Sequence, residues 1–179
     1  MDVFAYCCAS FEQSARQAAG VAPLLSPPTS AVSFDVALLE GRDLLYFDLH
    51  GAPGEGCWRG DGGLVALTAG QVAQADLGGA LVFAASCYLG DENSPMLDAL
   101  LDAGAKYVVG GDGQNWGPGR GPLYGAPLLA QWWRRWLMLG MAPLWSLAMA
   151  KRAVAFRGTA AEDTLEFRAF HRPDEEGLA

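Results

Sequence analysis

The sequence predicts an α/β fold: a three-layer sandwich whose mostly parallel sheet carries helices on both faces. Three observations predict it. The runs DLLYFDL (43–49), ALVFAA (80–85) and KYVVG (106–110) are short, apolar and bounded by glycine or a polar turn, as strands covered on both faces are. Segments with helical spacing separate them. Apolar residues make up 51% of the 179 positions and charged residues 18%, which suits a chain that buries a core and excludes a disordered one.

The elements follow in order. Met1 to Ala9 is apolar and rich in strand formers, so it reads as the first strand. Phe11–Ala19 (FEQSARQAA) reads as a short helix, stopped by Gly20 and the prolines at 23, 27 and 28, which make a loop. Ser33–Glu40 is a further short element, helix or strand. The strand at 43–49 ends on His50-Gly51, and APGEGCWRGDGG is a glycine-rich loop or hairpin. A short strand at 64–67 is followed by Thr68, a helix cap for residues up to about Asp76. The strand at 80–85 ends on Ser86-Cys87. Pro95–Ala103 has helical spacing and Gly104 closes it. After the strand at 106–110 comes the loop GGDGQNWGPGRGPLYG, then helices at about Pro127–Leu139 and Pro143–Phe156. Thr164–His171 alternates and reads as a last strand. The whole is expected to be a single domain over 1–171 with a polar tail at 172–179.

Charge narrows the partners. A net charge of −8 argues against nucleic acid, which needs a basic footprint, and against anionic membranes. It favours a cationic partner such as a basic peptide. Trp136 to Ala150 is uncharged, but Gly140 and Pro143 interrupt it, and a membrane span needs about 20 apolar residues. The start MDVFAYCCAS lacks a basic n-region and a long apolar core, so no signal peptide is read there. A cytoplasmic, reducing location is expected. The cysteines Cys7, Cys8, Cys57 and Cys87 form no CxxC pair, and no Cys/His run has zinc spacing. No metal and no organic cofactor is expected. Cys7 and Cys8 read as small buried hydrophobes on opposite faces of their strand.

Two strand ends carry the chemistry. Ligands of open parallel sheets bind outside the carboxyl ends of the strands. One strand delivers His50, the other Cys87, and a helix between them makes the two strands neighbours. An imidazole beside a thiol can accept its proton. Gly51 lets a substrate carbonyl approach the backbone, and the N–H groups of Gly51 and Cys87 are donors for an oxyanion. His50 is one of two histidines, and the other, His171, lies near the end of the chain.

These residues resemble a family. YFDLHG, then LVFAASCYLG, then LLDAGAKYVVGG is similar to caspase-like cysteine peptidases of clan CD, with the flavour of CHAT-domain and separase-like members. There a hydrophobic strand ends in His-Gly and a second ends in a turn of Ser-Ala-Cys or Gly-Cys type. LMLGMAPLWSL at 137–147 is similar to a downstream stretch of the same relatives. The resemblance covers about Leu44 to Phe156. It implies a caspase-like fold, a thiol protease activity, no cofactor, and His50 with Cys87 as the dyad that hydrolyses a peptide or protein substrate, Gly51 contributing to the oxyanion hole. The sequence departs from the pattern at Trp116, which sits further from the third strand. It also departs at Ala85, where relatives that cut after Arg or Lys often carry an acid.

Other residues have two readings each. Asp48 shares His50's strand face and either orients the imidazole or substrate or is a satisfied polar residue. Asp112 is either the floor of a specificity pocket for a basic P1 residue or a turn residue. Asp91, with Glu55, Asp61 and Glu92, either makes the mouth of the site negative or is a solvated loop charge. Trp132, Trp133, Trp136 and Trp145 are core, or part of a surface for a second copy or a protein partner. The alternatives to a peptidase are a catalytically degenerate caspase-like module that binds peptide or protein, and a different cysteine hydrolase such as an amidase, weakened by the order His before Cys.

Overall fold

The computed structural model describes residues 1–156 and 166–172. Five strands run parallel: β1 (Val3–Cys8), β2 (Leu24–Ser26), β3 (Leu44–Asp48), β6 (Leu81–Ala84) and β7 (Tyr107–Gly110). A sixth, β8 (Arg168–Phe170), pairs antiparallel with β7. The order across the sheet is β2-β1-β3-β6-β7-β8. The fold is thus α/β with a mixed, mostly parallel sheet. Between β3 and β6 the chain makes a separate antiparallel pair, β4 (Cys57–Arg59) with β5 (Val65–Thr68).

Period-two alternation sorts the strand residues into two cores. Tyr6, Cys8, Leu45, Phe47, Val82, Ala84 and Val108 face one core, which Trp58, Leu67, Val72, Met96 and Leu100 complete. That side holds the small β4–β5 sheet, α2 (Ala69–Val72) and α3 (Pro95–Asp102). Cys7, Leu44, Tyr46, Phe83 and Val109 face the other, which Ala15, Ala18, Leu129, Trp133, Leu147 and Val154 complete. That side holds α1 (Glu12–Ala19), α4 (Gly125–Met138) and α5 (Pro143–Phe156). Helices therefore pack on both faces, consistent with a three-layer sandwich, and the adjacent Cys7 and Cys8 divide between the layers.

The helix ends have local causes. Thr68 and Gln71 form a reciprocal capping box at the start of α2, which satisfies two orphan donors. Ser94 caps α3, with Pro95 inside its first turn. Gly20, at φ 77°, closes α1 in the left-handed region that costs glycine least.

Several boundaries differ from the sequence reading. The proline-rich loop after Gly20 contains β2, which forms by pairing Tyr6–Cys8 of β1 with Leu24–Ser26; partner-made strands leave little local signal. The element at 33–40 is a 3₁₀ turn over Val36–Leu39. The helix after Thr68 ends at Val72 rather than near Asp76, where Gln74, Ala75 and Leu77 leave the α-helical pattern of bonds. The last strand is shorter, Arg168–Phe170. Residues 164 and 165 of that predicted strand, and 173–179 of the predicted tail, lie outside the described residues. Among the described residues no helix is long and apolar enough to cross a membrane.

The tryptophans divide. Trp133 is fully buried and its indole N–H donates to the Pro143 carbonyl at 3.0 Å, which joins α4 to α5. Trp132 and Trp136 are half-buried and stack on each other at 6.4 Å, and Trp145 is 67% exposed. Trp133→Ala is expected to lower the unfolding free energy by about 3–5 kcal/mol, and Trp145→Ala by less than about 0.5 kcal/mol, both measured by urea denaturation.

Candidate active site

The cleft that gathers the reactive residues lies past the carboxyl ends of β3 and β6. It holds about 250 Å³ and is lined by Phe11, Asp48, His50, Ala85 and Cys87 on one side and by residues 114–118 on the other. The two strand ends are tied directly. Ala85 N–H donates to the Phe47 carbonyl at 2.7 Å. One residue before each reactive group, Leu49 N–H donates to the buried Ser86 hydroxyl at 3.3 Å. Next, Gly51 lies against Cys87 so closely that a Cβ at position 51 would sit 2.3 Å from the Cys87 carbonyl oxygen. The close approach at Gly51 is therefore to the protein's own backbone, where the sequence reading reserved it for a substrate carbonyl.

His50 is held by a second strand pair. Its N–H and carbonyl exchange hydrogen bonds with Arg59 of β4, both at 2.8 Å. The Phe11 ring meets the imidazole edge-on at 5.4 Å. The ring itself is exposed, so it is reachable from solvent while its backbone is fixed.

Cys87 lies three residues past the end of β6, at a sharp turn. Tyr88 takes φ 61°, a left-handed conformation that non-glycine residues seldom adopt. Tyr88 N–H donates to Gly113 and Gly90 N–H to Gly111, at 2.8 and 2.9 Å, so the turn is stitched to the glycine loop. The loop reaches back to the sulfur: Asn115 N–H donates to Cys87 Sγ at 3.2 Å. Its side-chain amide donates to the Ser86 and Ala85 carbonyls at 2.8 and 3.3 Å. A donor on the sulfur complements the charge that builds there when the thiol gives up its proton.

Asp48 lies at the inner end of the cleft, 7% exposed. It accepts from the Tyr46 hydroxyl at 3.1 Å. Burial pushes its carboxyl up to about 7, and the Tyr46 bond opposes only part of that shift. Burial likewise pushes the Cys8 thiol up to about 12 and raises the Cys7 thiol further, as expected of structural cysteines.

Asp112 and Asp91 are not among the residues that line this cleft. Asp112 is ion-paired with Arg168 of β8 and packs beside Gly90. Asp91 sits near it, its carboxyl raised by burial and by the Asp112 charge. Glu55 pairs with Arg59 at 3.1 Å, and Asp61 accepts from Ser10 N–H and hydroxyl, both at 2.7 Å. Much of the acidity read at the mouth is thus engaged in local pairs.

The sequence reading missed Phe11, Gln114 and Asn115. The available signal was the amide-amide-indole run Gln114-Asn115-Trp116 inside a glycine loop, where Gln and Trp, unlike Asn, are not turn formers. Trp116 is 56% exposed at the rim.

No family model and no curated protein matches the chain.

Gly51→Ala is expected to force the Cys87 carbonyl to move, lowering stability by roughly 1–3 kcal/mol and slowing modification of Cys87 by a thiol reagent; both are measured on the purified variant. Asp48 supplies a pH dependence. Its folded value lies above the unfolded one, so the carboxylate is penalised only in the folded state. The penalty is absent below the ordinary carboxylate value and complete above about 7. Wild-type stability should therefore fall as pH rises from about 4 to about 7, and Asp48→Asn should flatten that slope in urea denaturation.

Proposed function

We propose that the chain is a caspase-like cysteine endopeptidase with a His50–Cys87 dyad. The observation that carries this reading is the double tie between strand ends, Leu49 to Ser86 and Gly51 against Cys87, which opens both reactive residues into one cleft. His50 accepts the Cys87 proton, and the sulfur attacks the scissile carbonyl carbon. The Gly51 and Cys87 N–H groups receive the oxyanion. As the C–N bond breaks, His50 returns the proton to the leaving amine and a thioester remains. Water, deprotonated by His50, then attacks the thioester and releases the acid with a free thiol.

Asp48 is the one carboxylate among the described residues that line the cleft. It takes over the role that Asp112 had in the sequence reading and makes an Arg or Lys side chain the fitting P1 group. The rival reading, a peptide-binding module without catalysis, draws on the exposed Trp116 and on Phe11 at the rim, aromatic surfaces on which an extended peptide can lie.

A peptidyl thiol-reactive probe with arginine at P1 tests both. Wild type is expected to be labelled at Cys87 and to hydrolyse the matching peptide; Cys87→Ala is expected to lose labelling and at least roughly 1000-fold of kcat while keeping its fold by circular dichroism. Hydrolysis that survives Cys87→Ala overturns the mechanism. Peptide binding without labelling of the wild type selects the module instead.

A further inference from the structure

Two metal-ligating side chains outside the Cys87 turn, Cys8 and Asp61, converge on the flank of His50. A ligand atom of Cys8, one of His50 and one of Asp61 all lie within 4.8 Å of one another. They come from three separate segments, the end of β1, the end of β3 and the turn after β4, so no spacing rule on the sequence points to them. Each is held by its surroundings. The Cys8 thiol donates to the Arg59 carbonyl at 3.5 Å. His50 is bridged on both sides of its backbone to the same Arg59. Asp61 is fixed by two donors of Ser10. The Ser10 bonds persist when a metal binds and orient Asp61 as outer bonds orient the ligands of protein metal centres, whereas the Cys8 bond is given up with the thiol proton.

The geometry points to a site for one divalent cation of the zinc class, held by Cys8, His50 and Asp61. Thiolate with imidazole selects zinc or cobalt over magnesium or calcium. Three protein ligands leave the fourth tetrahedral position to water. Ligand atoms on one tetrahedral zinc lie roughly 3–4 Å apart, so the set closes by small side-chain rotations. Binding forms one metal–sulfur, one metal–nitrogen and one metal–oxygen bond; the Cys8 proton leaves to solvent, and no electron is transferred.

Occupancy has a consequence that rests on the proposed peptidase reading. A neutral imidazole has one nitrogen lone pair. Once the metal takes it, the other ring nitrogen carries hydrogen, and His50 has no base left for Cys87. The cation is therefore an inhibitor that acts without touching the nucleophile.

Cobalt titration of the metal-free full chain tests the site without any substrate. Wild type and Cys87→Ala are expected to bind one equivalent and to develop a thiolate-to-cobalt charge-transfer band. Cys8→Ser is expected to lose the band. Asp61→Asn, a change at a partly exposed position that does not itself line the cleft, is expected to weaken binding at least about tenfold and guards against a Cys8 variant that misfolds. No band in wild type, a band that persists in Cys8→Ser, or undiminished affinity in Asp61→Asn overturns the site. Stoichiometric zinc is expected to slow probe labelling of Cys87 in wild type, reversibly with a chelator, and to slow it less in Asp61→Asn. Equal labelling with and without zinc overturns the inhibition. Absence of labelling under all conditions overturns the peptidase reading and the inhibition with it, while the cobalt band stands or falls by itself.

Discussion

The pairing of β3 with β6 is the constraint on which the rest of the site depends. Leu44 to Phe47 lie parallel to Leu81 to Ala84 in a sheet buried on both faces. A slip of one residue would turn each side chain toward the wrong layer, so the register is held by two cores at once. That register decides which residues meet beyond the strands. Ser86 meets Leu49, and the Cys87 carbonyl meets Gly51. A hydrophobic requirement spread over both layers is thereby converted into the placement of two polar side chains.

Around that pair the chain adds restraint from opposite sides. The β4–β5 sheet grips His50 through Arg59, and the glycine loop grips Cys87 through Asn115. The first grip is a pair of backbone hydrogen bonds, which fixes His50 while leaving the imidazole exposed; the second joins the Asn115 N–H to the Cys87 sulfur itself. The rare conformation of Tyr88 is offset by the donors from residues 88 and 90 to the loop. The glycines there matter because the strands of the chain run close: at Gly111 a Cβ would sit 2.7 Å from the Asn115 side chain.

Much of this was legible in the sequence, for a physical reason. A strand buried on both faces must be a short apolar run, so a reactive residue directly after such a run stands at a strand end. His50 and Cys87 could be read that way, as could the layers and the helix pair at α4 and α5. What depends on distant partners could not. Asn115 reaches Cys87 across 28 residues and Arg168 reaches Asp112 across 56. Asp112 looked free in its loop because its counter-charge lies on another strand. β2 was hidden because its three residues are strand only through β1. Cys8 and Asp61 read as a core thiol and a loop charge, and only the fold brings both to His50.

Among the described residues the outermost strands of the main sheet, β2 and β8, have three residues each. An exposed strand edge is a template for pairing with another chain, and short edges bearing proline or charge suppress it. β2 is followed at once by Pro27 and Pro28, which have no N–H to offer. β8 opens with Arg168, already bound to Asp112. Between them the apolar strands that position the site present no long edge among the described residues, a feature that disfavours sheet-to-sheet self-association. A protein with so hydrophobic a middle can in this way keep its strands out of intermolecular sheets at high concentration.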